Sequence, residues 1–204
     1  MKKYRAAQDL HQQNLRKQIL DDASNLLMHE GTNALSMRRI AQTVGCSTTV
    51  LYTMFGNKQG LLDGLYLRGI EIWRQTLEAI EHPGNSLDYI FSIGRAYRNF
   101  ALSNSSYYSL MFLKVIPEYT PSENNFQLAT DSFKILVEAV QDCIAPGKAP
   151  ESEAWEIARI IWATLHGHIG LELVGYANYL EPPEQRFERA LQTLVNGLLG
   201  TSNQ

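Results

Sequence analysis

Thr48, Thr49, Tyr52 and Thr53 fall on one helical face at steps of three and four and offer hydroxyls, methyl groups and one aromatic ring without any charge. Such a face suits hydrogen bonds to base edges and contacts with thymine methyl groups. Threonine discriminates weakly beside a bidentate Arg or Asn, so the shape and deformability of a duplex would add to the readout. Around the face stand residues suited to phosphate: Ser36 and Arg38 on the near side, Ser47 at a helix start, the Tyr52 hydroxyl, and Lys58, which joins its charge to a helix N-terminus. Lys2, Lys3 and Arg5 are candidates for a basic arm along a groove.

The elements that must hold these residues are two short helices. Met37, Ile40, Ala41 and Val44 recur at three and four and form one apolar stripe. Gly45 stands where the chain must reverse, and Ser47 is an N-cap for a second helix beginning near Thr48, with Val50, Leu51 and Phe55 facing inward. A short polar helix held by its apolar face on a preceding helix is a helix-turn-helix, spanning 36–55, whose second helix enters the major groove.

The wider stretch GTNALSMRRIAQTVGCSTTVLYTMFGNKQGLL resembles the DNA-binding signature of the TetR family of bacterial transcriptional regulators. The likeness rests on Gly31, the Ile40-Ala41 pair, Gly45, Ser47, Leu51-Tyr52, Phe55, Lys58 and Leu61-Leu62 in the family's order and spacing. Cys46, Thr49 and Met54 depart from it, and because they touch the reading face no operator sequence comes with the resemblance. The resemblance implies a DNA-binding domain over 1–60 and a ligand-binding and dimerisation domain over 61–204. It also implies a repressor in which effector binding moves the fourth helix and changes the separation of two reading heads.

Bulk properties agree with that division. The 204 residues, 45% hydrophobic, suffice for a substantial core, and the formal charge of −3 conceals a basic first 60 residues, with eight Lys and Arg against four acids. Cys46 and Cys143 lie far apart and outside any metal or redox pattern, so a reducing cytoplasm is expected. The charged N-terminus lacks the apolar run of a secretory signal, and the apolar segment 160–176 is short for a membrane span and holds His166, His168 and Glu172. Period-two alternation is absent. The pattern predicts an all-α fold of about nine helices: 14–30, two within 36–55, 58–81, 86–103, 106–115, 123–144, 152–179 and 184–199.

One such module covers few base pairs, so useful specificity needs two copies on a two-fold symmetric duplex. Leu165, Ile169, Leu173, Leu191, Leu194, Val195 and Leu198 on the last two helices are the expected homodimer contacts, and Gly167, Gly170 and Gly175 suggest close approach of another backbone. Tyr97, Phe100, Tyr108, Met111, Phe112, Phe133, Trp162 and His166 are candidates for an apolar effector pocket, although an aromatic stripe at helical spacing is also what a core looks like. Trp162, His166 and Gly167 resemble a signature in the ligand domains of one TetR subgroup. Arg95, Arg98 and Lys114 are candidates to pair an acidic ligand. His166 and His168 cannot grip one metal from one regular helix, no cofactor is expected beyond an unknown small effector, and no phosphate loop, nucleophile elbow or metal triad points to an enzyme. Two alternatives stand beside the ligand-responsive repressor: a helical protein-interaction adaptor, and a regulator or activator without a small-molecule ligand.

Overall fold

The computed structural model describes residues 2–144, 150–176 and 181–200, and the side chains of Lys2, Lys3 and Arg5, the expected arm, lie outside the described residues. The described chain is all helical: α1 (Lys2–Glu30), a 3-10 turn (Thr32–Ala34), α2 (Met37–Val44), α3 (Thr48–Phe55), α4 (Lys58–Glu78), α5 (Ser86–Ser103), α6 (Ser105–Phe112), α7 (Glu123–Cys143), α8 (Glu151–Leu173) and α9 (Pro183–Leu199). Among the described residues no helix is long and apolar enough to cross a membrane.

Two boundaries differ from expectation by more than three residues, each for a local reason. Helix α1 begins at Lys2 instead of Asn14 because the added turns are rich in Ala, Gln, Lys and Leu, good helix formers that need no buried stripe. Helix α8 stops at Leu173 instead of running to 179. Gly175, at φ 74°, turns left-handed there, and Tyr176 N–H reaches back to the Leu171 carbonyl at 3.0 Å. Gly175 is thus a helix stop, not a helix-interior glycine.

The chain divides into two compact units, Met1–Glu71 with Asn104–Phe126, and Ile72–Ser103 with Gln127–Gln204. The first contains α1 to α3 and most of α4, and it also takes in α6 and the loop after it. Its core is built from Ile19, Ala23 and Leu27 of α1, Ile40 and Ala41 of α2, Leu51 and Phe55 of α3, and Leu61, Leu62 and Leu65 of α4, all buried. Val44 and Val50, expected inside, are only half-buried at the edge of this core. Helix α6 is tied to α1 by polar groups: Ser24 and Ser106 hydroxyls bond to each other, and the Tyr107 hydroxyl donates to Asp21 Oδ1 at 2.7 Å. Burial, reinforced by the Asp21 carboxylate, pushes the Tyr107 phenol far above the ordinary tyrosine range, so it remains a donor. At Gly69 a Cβ would lie 2.5 Å from Met111 Sδ, so the Met111 side chain of α6 packs directly on α4 there.

In the second unit α5, α8 and α9 pack around Ile161, Leu165, Ile169, Leu191 and Val195. Four residues expected at the dimer contact, Leu165, Ile169, Leu191 and Val195, are therefore protomer core at 3% exposure or less, and a side chain with no exposed area has none to bury against a partner. Leu173, Leu194 and Leu198 remain partly exposed. A Cβ on Gly94 would lie 2.8 Å from Leu191 Cδ1, so that glycine sets the approach of α5 to α9.

Candidate nucleic-acid interface

The reading module is built by caps and two left-handed glycines. Ser36 precedes α2 in extended conformation, and its hydroxyl accepts the Arg39 N–H at 3.2 Å. Gly45 ends α2 at φ 72°, ψ 30°, a region in which a Cβ costs energy, and the chain reverses there. Ser47 then accepts the Val50 N–H at 3.3 Å and starts α3. Gly56 ends α3 at φ 74°, and Asn57 caps α4 through Oδ1 to the Gly60 N–H at 2.9 Å.

With Leu51 and Phe55 seated in the core, Thr48, Thr49, Tyr52 and Thr53 are left exposed on one face of α3, Tyr52 at 52%. Ser36, Arg38, Ser47 and Lys58 are exposed as well. Ser36, Arg38, Tyr52 and Lys58 share one concavity of about 610 Å³, whose wall also includes Glu118. The eight residues expected to meet DNA thus stand on one module, half of them converging on that concavity. Arg39 is used differently. It grips Glu30 with Nε and Nη2, and that hydrogen bond holds the Glu30 carboxyl below the usual range.

Sequence reasoning missed two groups at this module. Arg16 of α1 donates from Nη1 to the Met54 carbonyl at 2.8 Å, where α3 leaves carbonyls without a helical partner, and its Cζ lies 4.4 Å from the centroid of the Phe55 ring. Asp63 of α4 accepts from the Tyr119 hydroxyl at 3.0 Å and from Asn125 Nδ2 at 3.2 Å, anchoring the loop after α6. Neither pairing has a local signal. Only an amphipathic outlier such as Arg16 within the apolar half of α1 marks the first.

The eight effector candidates divide between the units. In the second, Trp162 Nε1 donates to the Tyr97 hydroxyl at 3.0 Å, which lies 3.3 Å from His166 Nδ1. Phe133 meets Trp162 edge-on at 6.0 Å, and Trp73, which periodicity did not single out, packs on both Tyr97 and Phe100 at 5.4 Å. Burial holds the His166 imidazole below its ordinary value. In the first unit, Tyr108 is buried at 0% exposure, Phe112 packs on it, and Met111 lies against Gly69. Arg95 and Arg98, candidates for an acidic ligand, are committed to Glu188 and Glu172 through two hydrogen bonds each. Among the described residues no cluster of three His, Cys, Asp or Glu could hold a metal.

An all-helical chain that presents an exposed threonine-rich helix over a capped helix-turn, with cations beside it, is a helix-turn-helix DNA-binding regulator. Comparison with known proteins names the family. The profile described as bacterial regulatory proteins, tetR family, matches residues 19–65, and that of the tetracyclin repressor-like C-terminal domain matches 90–194. The chain belongs to the TetR family of transcriptional regulators, which are not enzymes. It is 26% identical over 185 residues to the HTH-type transcriptional regulator YobS of Bacillus subtilis, covering 90% of this chain and 92% of that one. A Rhodococcus sp. RHA1 protein of unknown function has a similar structure, with TM-score 0.73, 25% identity and coverage of 91% and 95%. A TetR variant from Acinetobacter baumannii AYE, crystallised in complex with minocycline, shares the fold at TM-score 0.60 and 19% identity, covering 88% and 93%.

Proposed function

We propose that this regulator is a cytoplasmic homodimeric repressor that binds a two-fold symmetric operator through Thr48, Thr49 and Thr53 and anchors phosphate with Ser36, Arg38, Ser47, Tyr52 and Lys58. A small, mostly apolar effector releases it. The observation that carries the DNA reading is the convergence of Ser36, Arg38, Tyr52 and Lys58 on one concavity beside the exposed face of α3. Residues 1–60 act as the DNA-binding domain and 61–204 as the ligand-binding and dimerisation domain.

Dimerisation is supported by the outer face of α8. A Cβ on Gly167 or Gly170 meets nothing within 4 Å, so nothing in the protomer calls for glycine there, while Ile160 and Leu171 beside them are 39% and 50% exposed. Glycine in a helix interior costs roughly 1 kcal/mol relative to Ala, a cost that close approach of a second backbone offsets. The effector reading draws on the Tyr97, Trp162 and His166 cluster and on the minocycline-bound structural neighbour. Release requires that the effector bind the non-operator arrangement better, with α4, whose residues belong to both units, carrying the change.

Selection of bound duplexes from a random pool tests the proposal. The expected result is a palindrome with half-sites about one helical turn apart. Enrichment of no sequence, or of an isolated half-site, would sink it.

A further inference from the structure

The loop between α6 and α7 places an acid in the concavity that is otherwise built for phosphate. Its tip is the turn Ile116-Pro117-Glu118-Tyr119, closed by the Tyr119 N–H to the Ile116 carbonyl at 3.1 Å. Proline at the second turn position and a polar residue at the third is the pattern such turns favour. Both ends of the turn are buried, Ile116 at 2% and Tyr119 at 5% exposure, and the Tyr119 hydroxyl is fixed on Asp63. One residue further on, the Thr120 carbonyl accepts from Gln59 Nε2 at 3.3 Å. The tip is therefore tied to the start of α4 through Gln59 and Asp63, and Glu118 projects from it with its side chain 68% exposed. Its carboxylate lies 3.6 Å from Lys58 Nζ, and Pro117 and Glu118 wall the same concavity as Ser36, Arg38 and Tyr52.

We infer that Glu118 is an affinity-setting residue of the DNA interface: it occupies the Lys58 ammonium in the free protein and opposes the approach of a backbone phosphate to the same cation. The inference rests on the proposed role of Lys58 as a phosphate anchor. A DNA phosphate at the concavity meets a cation already paired and a carboxylate that repels it, so each reading head gives up part of its sequence-independent affinity. The anchored turn holds the backbone of Glu118 at the concavity, so its exposed carboxylate stays within reach of Lys58. The consequence is a regulator with weakened non-specific binding, which leaves base contacts a larger share of its selectivity.

The test compares the full-length wild type, Glu118→Gln, Lys58→Ala and the double variant on a short random-sequence duplex at about 0.1 M salt, where phosphate contacts dominate. Glu118→Gln should bind about three- to ten-fold more tightly, the range expected for releasing one exposed ion pair at each of two heads. That gain should vanish in the Lys58→Ala background. Unchanged binding by Glu118→Gln, alongside a loss with Lys58→Ala, overturns the inference and leaves the phosphate reading standing. A gain of the same size with and without Lys58 overturns it too, since Glu118 then acts as diffuse charge. Wild-type affinity in Lys58→Ala would instead remove the phosphate anchor itself. The side chains are exposed and the turn's anchors are untouched, so both single variants fold.

Discussion

Arg16 and the Met54 carbonyl, 38 residues apart, are joined at 2.8 Å, and the same guanidinium covers the Phe55 ring. This contact ties the C-terminal end of α3, the helix that carries Thr48, Thr49 and Thr53, to α1. Arg16 touches the back of the module, so its influence on DNA is through position. Arg16→Ala should lower duplex affinity about ten-fold, near 1.4 kcal/mol, with the slope of log affinity against log salt unchanged. A slope reduced by about one would show that Arg16 meets a phosphate directly and refute the positioning role.

Lys58 and Tyr52 are predicted to behave as anchors. Lys58→Ala should weaken binding to all sequences alike and lower the salt slope by about one per head, and Tyr52→Phe should weaken binding uniformly with little change in slope. Titrations against the selected operator and a scrambled duplex decide the matter; a loss confined to the operator would assign these side chains to base readout.

The two faces of α8 should respond in opposite ways to substitution. Leu165→Ala on the buried face, like Leu191→Ala on the α9 side of the same core, removes protomer core and should cost about 2–5 kcal/mol, seen as a lower melting temperature. Gly167→Leu, on the open outer face, should leave helical content intact while shifting sedimentation toward the protomer mass. If dimers of Gly167→Leu and Gly170→Leu sediment like wild type, the contact lies elsewhere.

His166 predicts an acid-dependent loss of stability. Burial depresses its folded value below the ordinary 6.5, so on acidification the unfolded chain takes up this proton first. The contribution is fully present above about 6.5 and is lost as pH falls through that value toward the folded one. Melting curves across this window should be shallower in pH for His166→Gln, which keeps a hydrogen-bonding side chain beside Tyr97. Matching slopes would assign the acid sensitivity to other groups.

Local chemistry made the reading module legible in the sequence. Ser36, Gly45, Ser47 and Asn57 act within three or four residues of themselves, and the periodicity that buries Ile40, Leu51 and Phe55 is a property of single helices. The helix boundaries that shifted are also local, α1 extending because propensity alone sustains an exposed helix and α8 stopping because Gly175 turns left-handed.

Tertiary structure alone decided what lies far apart along the chain. Tyr107 reaches Asp21 across 86 residues and Tyr119 reaches Asp63 across 56, pairings that no periodicity encodes. It also decided which face of α8 is core. That helix is apolar on both sides, so composition could not separate Leu165 and Ile169, buried under α9 and α5, from Ile160 and Leu171, left in solvent. Glu118 belongs with these: an acid in a loop reads as solvated surface until folding sets it beside Lys58. A sequence determines directly what backbone conformation and amphipathicity determine, whereas contacts between distant residues depend on how the helices pack, a joint property of the whole core.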